Sequence, residues 1–288
     1  MTARALLLLA AALGLHAPPA NAQPAQPATR PIEVGQSFTL ASRALGEPRE
    51  INVYLPAGYA SGERRYPVVY LIDGGLDQDF LHVAGTSQLG GIWGRSQEAI
   101  VVGVATRDRR RELVGPTADP ELLRRYPTAG RSEDFRRFLR DEVKPAIEQR
   151  YRTNGTDGII GESLAGLFIV ETFLRAPDMF DSYAAISPSL WWDRERLSNE
   201  AARLLGPAHR SRRIYIAAAN EGADMQVSVD RVRTALQGHT QLCYIARSDL
   251  THATIYHSVS PQALQFLLPP AAAPDPQWGF DLPCSTTP

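Results

Sequence analysis

The chain has little cysteine: Cys243 and Cys284 are the only two. Its six histidines are scattered. No Cys/His grouping has metal-ligand spacing, so nothing calls for a structural zinc or any other metal. Neither charge sign dominates. Thirty Lys and Arg stand against 31 Asp and Glu, a formal net charge of −1. A general nucleic-acid binder carries a basic balance or stripe, and none is present, so no nucleic-acid partner is expected. After residue 22 no apolar run is long enough to span a bilayer. Glycine and proline, 22 of each, follow no period, which excludes collagen-like repeats. What is there is a globular composition: 44% hydrophobic and 21% charged in 288 residues. That excludes disorder as the main state and suits one large domain or two small ones.

Residues 1–22 read as a secretory signal. Arg4 is the positive n-region, Ala5 to Leu15 the short apolar stretch, and Ala20-Asn21-Ala22 a small-x-small cleavage site. Residues 23–31 are a Pro/Ala/Gln-rich lead-in, 32–268 one folded domain, and 269–288 a Pro/Ala-rich tail. The expectation is an exported protein with no membrane span in its mature part. The style of the leader points to a bacterial periplasm. That space is oxidising and permits a Cys243–Cys284 disulfide, with two unpaired thiols as the alternative.

Strand-like and helix-like runs alternate along the domain. Ser37–Ser42 and Ile51–Leu55 alternate apolar and polar and predict an antiparallel opening pair. Val68–Ile72, Ala99–Val104, Gly158–Ile160, Ser182–Ile186, Ile214–Ala218 and Leu242–Ala246 are short and apolar, as strands buried on both faces are. Helical periodicity marks Asp134–Tyr151, Leu164–Leu174, Val227–Leu236 and Pro261–Leu268. This alternation predicts an α/β fold, a mainly parallel central sheet with helices on both faces. Ligands on such sheets bind at the carboxyl ends of strands.

One strand end stands out. Gly-x-Ser occurs at Gly35, Gly85, Gly94, Gly130 and Gly161, but only Ser163 has a small residue, Ala165, two positions later. It alone has an apolar strand before it and a helix after it. Small residues two positions either side let strand and helix backbones approach. The turn pushes the serine hydroxyl out above the sheet, with the next amide, that of Leu164, free to face an oxyanion. The plain alternative is a helix N-cap serine.

Gly161-Glu162-Ser163-Leu164-Ala165-Gly166-Leu167-Phe168, then Arg175-Ala176-Pro177-Asp178-Met179-Phe180-Asp181, then Ile186-Ser187-Pro188-Ser189-Leu190-Trp191-Trp192-Asp193 resemble the esterase family of α/β-hydrolases that includes enterobactin/salmochelin esterases and esterase D-like enzymes. The resemblance runs from about Tyr66 to Leu268, and Ser187–Asp193 is its most specific piece. Ala165 departs from the family's usual glycine but is still small. The resemblance implies an α/β-hydrolase fold, a serine ester hydrolase needing no cofactor, and a small-molecule ester substrate, with siderophore esters favoured. An acyltransferase using the same acyl-enzyme, or a non-catalytic binding protein, are the alternatives.

A serine hydroxyl needs a base. His252 follows the last strand in a loop before the last helix, and the family's histidine loop resembles Thr251–His257. His257 is the rival, while His209 and His239 read as surface residues. Chain order puts the acid after Ile214–Ala218, where Glu221 comes first and Asp224 second. Asp249 follows the wrong strand. The second oxyanion amide is expected after Val68–Ile72, from Gly74 or Gly75. Arg109 and Arg111 match family arginines and would bind an anionic or catecholate-bearing substrate, with a solvated face as the alternative. Of Trp191 and Trp192, one walls the pocket while the other fills core.

Overall fold

The computed structural model describes residues 29–284. The expected leader, most of the lead-in and the last four residues lie outside this range. The folded unit starts at Val34. Among the described residues no helix is long and apolar enough to cross a membrane.

Eight strands form one sheet: β1 (Gln36–Ala41), β2 (Pro48–Tyr54), β3 (Tyr66–Ile72), β4 (Ile100–Val104), β5 (Thr153–Glu162), β6 (Ser182–Ile186), β7 (Arg213–Ala219) and β8 (Gln241–Arg247). Their spatial order is β1-β2-β4-β3-β5-β6-β7-β8. The opening pair β1–β2 is antiparallel, as is β2–β4, and every later pairing is parallel. All eight expected strands are present, in an α/β-hydrolase arrangement.

Side chains alternate across a strand, and the two faces bury separate cores. Val68, Tyr70 and Ile72 of β3 point into one, with α6 (Leu164–Arg175) and α8 (Ala223–Leu236) packed on it. Val69 and Leu71 point into the other, with α1 (Phe80–Ile92) and α9 (His252–Leu267). Between β4 and β5 come α2 (Arg109–Glu112), α3 (Pro120–Arg125), α4 (Ser132–Phe138) and α5 (Lys144–Arg150). A π-helical turn, Leu139–Val143, joins α4 to α5. Pro145 has no N–H to offer the preceding turn, which accounts for a local widening there.

Three helical expectations need correcting. α1 was not expected: Gly85, Gly90 and Gly91 interrupt it and its apolar residues make no clean stripe. Nor was α7 (Trp192–Leu204), whose sequence is mostly polar and whose residues Asp193, Arg194 and Glu195 have left-handed backbone angles. α9 starts at His252, nine residues before Pro261, so the proline is interior. Its missing N–H would have met the carbonyl of His257, an exposed residue that water can satisfy.

The C-terminal tail is tied back. Cys243 of β8 and Cys284 form a disulfide, and Leu282 and Cys284 pack against the core beneath α1 and α9.

Candidate active site

Ser163 stands alone between the last residue of β5 and the first of α6, with φ 62° and ψ −119°. Such an angle costs a non-glycine residue energy, and three hydrogen bonds hold it. Ser163 N–H donates to Ile186 O at 3.0 Å, and Ser163 O accepts from Leu167 N–H at 2.9 Å and Ser189 N–H at 3.0 Å. The small residues are needed. A Cβ on Gly161 would lie 2.6 Å from the Ala165 Cβ, and one on Gly166 would lie 2.9 Å from Ile186 O. With a methyl at residue 165, position 161 therefore has no room for a side chain of its own. Ser163 Oγ lies 3.2 Å from Ser189 Oγ, with no hydrogen bond to His252.

His252 is the first residue of α9, not a loop residue, and is half exposed. Its Nδ1 lies 3.1 Å from Glu221 Oε1, an ion-pair separation without the alignment of a good hydrogen bond. Glu221 Oε1 also accepts the Ser187 hydroxyl. Glu221, in the loop after β7, is thus the carboxylate facing the histidine. Asp224 is exposed on the first turn of α8 and is not. Asp249 pairs with Arg247 at 2.8 Å. His257 is exposed, its ring 4.6 Å from that of His82. His239 is exposed as expected, but His209 is buried, with Nε2 3.1 Å from Phe173 O. Its polar neighbours in sequence concealed a core role.

The glycines after β3 divide. Gly74 N–H donates to Val104 O at 3.0 Å, so it is not a free oxyanion donor. Glycine is required there for another reason: a Cβ would lie 2.2 Å from Gly103 Cα in the neighbouring strand. Gly75 N–H donates instead to a side chain, Gln78 Oε1, at 2.9 Å. It becomes available if that carboxamide swings aside. Leu164 is the first residue of α6, where backbone N–H groups have no helical partner.

The arginines divide too. Arg109 Nε and its terminal nitrogen lie 3.0 and 2.9 Å from Asp73 Oδ2, at the turn after β3. Its charge is felt by Glu162 and His252. Arg111 turns away, bonded to Glu47 Oε1 at 3.2 Å and Leu45 O at 3.3 Å, so the expected role in the site falls. Trp192 is buried, its Nε1–H donating to Gly115 O at 3.2 Å, whereas Trp191 is 42% exposed.

Electrostatics single out the edge. Contact with Glu221 raises the His252 pKa above the usual histidine value, against the opposing effect of burial. Burial pushes Glu221 up, but the His252 and Ser187 contacts and the His252 charge outweigh it and hold the carboxyl low. Burial pushes Glu162, next to the serine, up to about 7; the His252 charge opposes this and Asp79 and Glu221 add to it. Burial and the charge of Asp73 push Asp79 up to about 6. Sequence reasoning missed Ser187, Ser189, Glu162 and Asp79. The two serines lay inside the most specific run, Ser187–Asp193, where their hydroxyls were an unread signal.

The sequence matches the family described as "Putative esterase" over residues 42–247. It is 34% identical over 149 residues to the ferri-bacillibactin esterase BesA of Bacillus subtilis, covering 45% of this chain and 50% of that protein. It is 26% identical over 196 residues to the siderophore triacetylfusarinine C esterase of Aspergillus fumigatus, covering 61% and 63%. These alignments span half to just under two thirds of those relatives' length. An IroE-like serine hydrolase from Shewanella oneidensis superposes with a TM-score of 0.72 at 27% identity, over 81% of this chain and 80% of that one.

Proposed function

Because this chain belongs to the "Putative esterase" family, we propose that it is a carboxylic-ester hydrolase in which Ser163 forms an acyl-enzyme. The observation that carries the reading is the strained turn at Ser163 together with Glu221 3.1 Å from His252 Nδ1. Ser163 Oγ attacks the ester carbonyl carbon while His252 Nε2 takes its proton. Glu221 stabilises the imidazolium. The tetrahedral oxyanion is met by Leu164 N–H and by Gly75 N–H, the latter once Gln78 has moved. Collapse expels the alcohol, which takes the proton from His252. Water then attacks the acyl-serine, gives its proton to His252, and releases the acid as Ser163 regains its proton. The Ser163–Ser189 contact is broken at the start, since catalytic hydrogen bonds often form only with substrate bound.

Siderophore esters are the proposed substrate class, on the names of the relatives. Arg109 supports it: a half-exposed guanidinium at the edge suits an anionic or catecholate-bearing ligand, and the partly exposed Trp191 is the proposed apolar wall of the pocket. Export to an oxidising compartment is the proposed location, supported by the leader-like residues 1–22 and the Cys243–Cys284 disulfide.

The test is hydrolysis of p-nitrophenyl butyrate and of a catecholate siderophore triester, with Ser163→Ala in parallel. Both activities should vanish in the variant, and the triester should be the better substrate. Activity retained by Ser163→Ala would sink the nucleophile assignment. Preference for the simple ester would sink the substrate class alone.

A further inference from the structure

α1 and α9 both begin at the catalytic edge, one just after Asp79 and the other at His252. Both run back along the sheet, and the thirteen residues of α1 carry its far end about 20 Å away. There Leu89, Trp93, Leu264 and the tail residues Trp278 and Phe280 wall an open-mouthed cavity of ≈400 Å³. Trp93 and Trp278 are half exposed, their rings edge-to-face at 5.8 Å. An exposed aromatic patch of this kind marks a binding surface.

The cavity also contains an uncompensated charge. Arg95 lines it, with Nε donating to the neutral Gln265 Oε1 at 3.0 Å and its guanidinium 5.2 Å from the Phe280 ring. Among the described residues no carboxylate lies within ion-pair distance of it. Partial burial lowers its pKa. Ser96 also lines the cavity. It is 4% exposed and its hydroxyl has no partner. A carboxylate in the cavity accepts from the Arg95 guanidinium, while the covered Ser96 hydroxyl would meet it only if that side chain rotated. One cationic group surrounded by apolar walls selects one charge on a hydrocarbon body.

We infer that this cavity is a binding site, separate from the catalytic edge, for an amphipathic monocarboxylate with an alkyl or aryl body. The tail supplies two of its walls, so the disulfide that anchors the tail also shapes the site. The inference does not rest on the esterase reading.

The test is calorimetric titration of decanoate, and separately of decanol, into the full chain and its variants Arg95→Met and Arg95→Lys. Losing one charge-assisted pair predicts a drop in decanoate affinity of about tenfold or more in Arg95→Met. Decanol should bind wild type more weakly than decanoate and be indifferent to Arg95→Met. Arg95→Lys should keep most of the preference. Ester hydrolysis should be unchanged in both, which checks folding. Should Arg95→Met fail to fold, Trp278→Ala in the exposed tail is expected to weaken both ligands. Equal affinities for decanoate and decanol, no saturable decanoate binding, or decanoate binding unaffected by Arg95→Met or by Trp278→Ala would each overturn the inference.

Discussion

Ser187 donates its hydroxyl to Oε1 of Glu221, the same oxygen that faces His252. Ser187 sits at the end of β6 with φ 43°, its N–H bonded to Ala217 O at 2.8 Å. It can therefore act as a positioning residue, holding the carboxylate toward the ring. Ser187→Ala should lower kcat/KM for p-nitrophenyl butyrate about tenfold, the worth of one hydrogen bond to a charged group. Glu221→Gln should cost on the order of 10²–10⁴ in kcat, as loss of the orienting acid does elsewhere. Equal, wild-type rates in both would remove Glu221 from the mechanism.

The pH profile follows from the same pair. The base works when neutral, and Glu221 raises the His252 pKa. The acid limb of kcat/KM should therefore lie above the ordinary histidine pKa of about 6.5. Glu221→Gln removes the raising contact, so its limb should move to lower pH. A limb that stays in place would show that the pair does not couple.

Glu162 gives a stability signature. Its folded pKa is raised to about 7 from 4.5, so the folded state holds its proton more tightly. That contribution is complete below pH 4.5 and is lost as pH rises through about 7. Glu162→Gln mimics the protonated form. It should leave Tm nearly unchanged at pH 4 and raise it relative to the parent at pH 8. A variant less stable than the parent at pH 8 would contradict the sign.

A buried ion pair sits under the opening strands. Arg49 is fully buried, with its guanidinium nitrogens 2.8 and 3.2 Å from the two Glu112 oxygens. Glu112→Ala leaves that charge with only the partly exposed Glu47 and should destabilise by about 3 kcal/mol in urea unfolding. Replacing both partners, Arg49→Met with Glu112→Leu, should recover most of the loss.

Two glycines should respond in opposite directions. Gly85, exposed within α1, has open space around it, so Gly85→Ala should stabilise by about 0.5–1 kcal/mol. Gly74→Ala would set a methyl into the Gly103 backbone and should abolish the folded, active protein. Thermal melts of the two variants check both outcomes.

The strand series and the serine turn could be read from the chain because they depend on local chemistry. Buried strands are short apolar runs, and a turn pinched between strand and helix needs small residues beside the serine. The packing between separate elements chose the rest. It placed Glu221 rather than Asp224 against His252, spent the Gly74 amide on Val104, turned Arg111 toward Glu47 and buried His209. It also formed α1 from a glycine-interrupted stretch, since burial of Phe80, Val83 and Ala84 against the sheet outweighs weak helix propensity. Residue order determines which groups the chain carries and how its elements alternate. Which amide, carboxylate or guanidinium meets which partner depends on distances across the sheet, and those exist only once distant segments have packed.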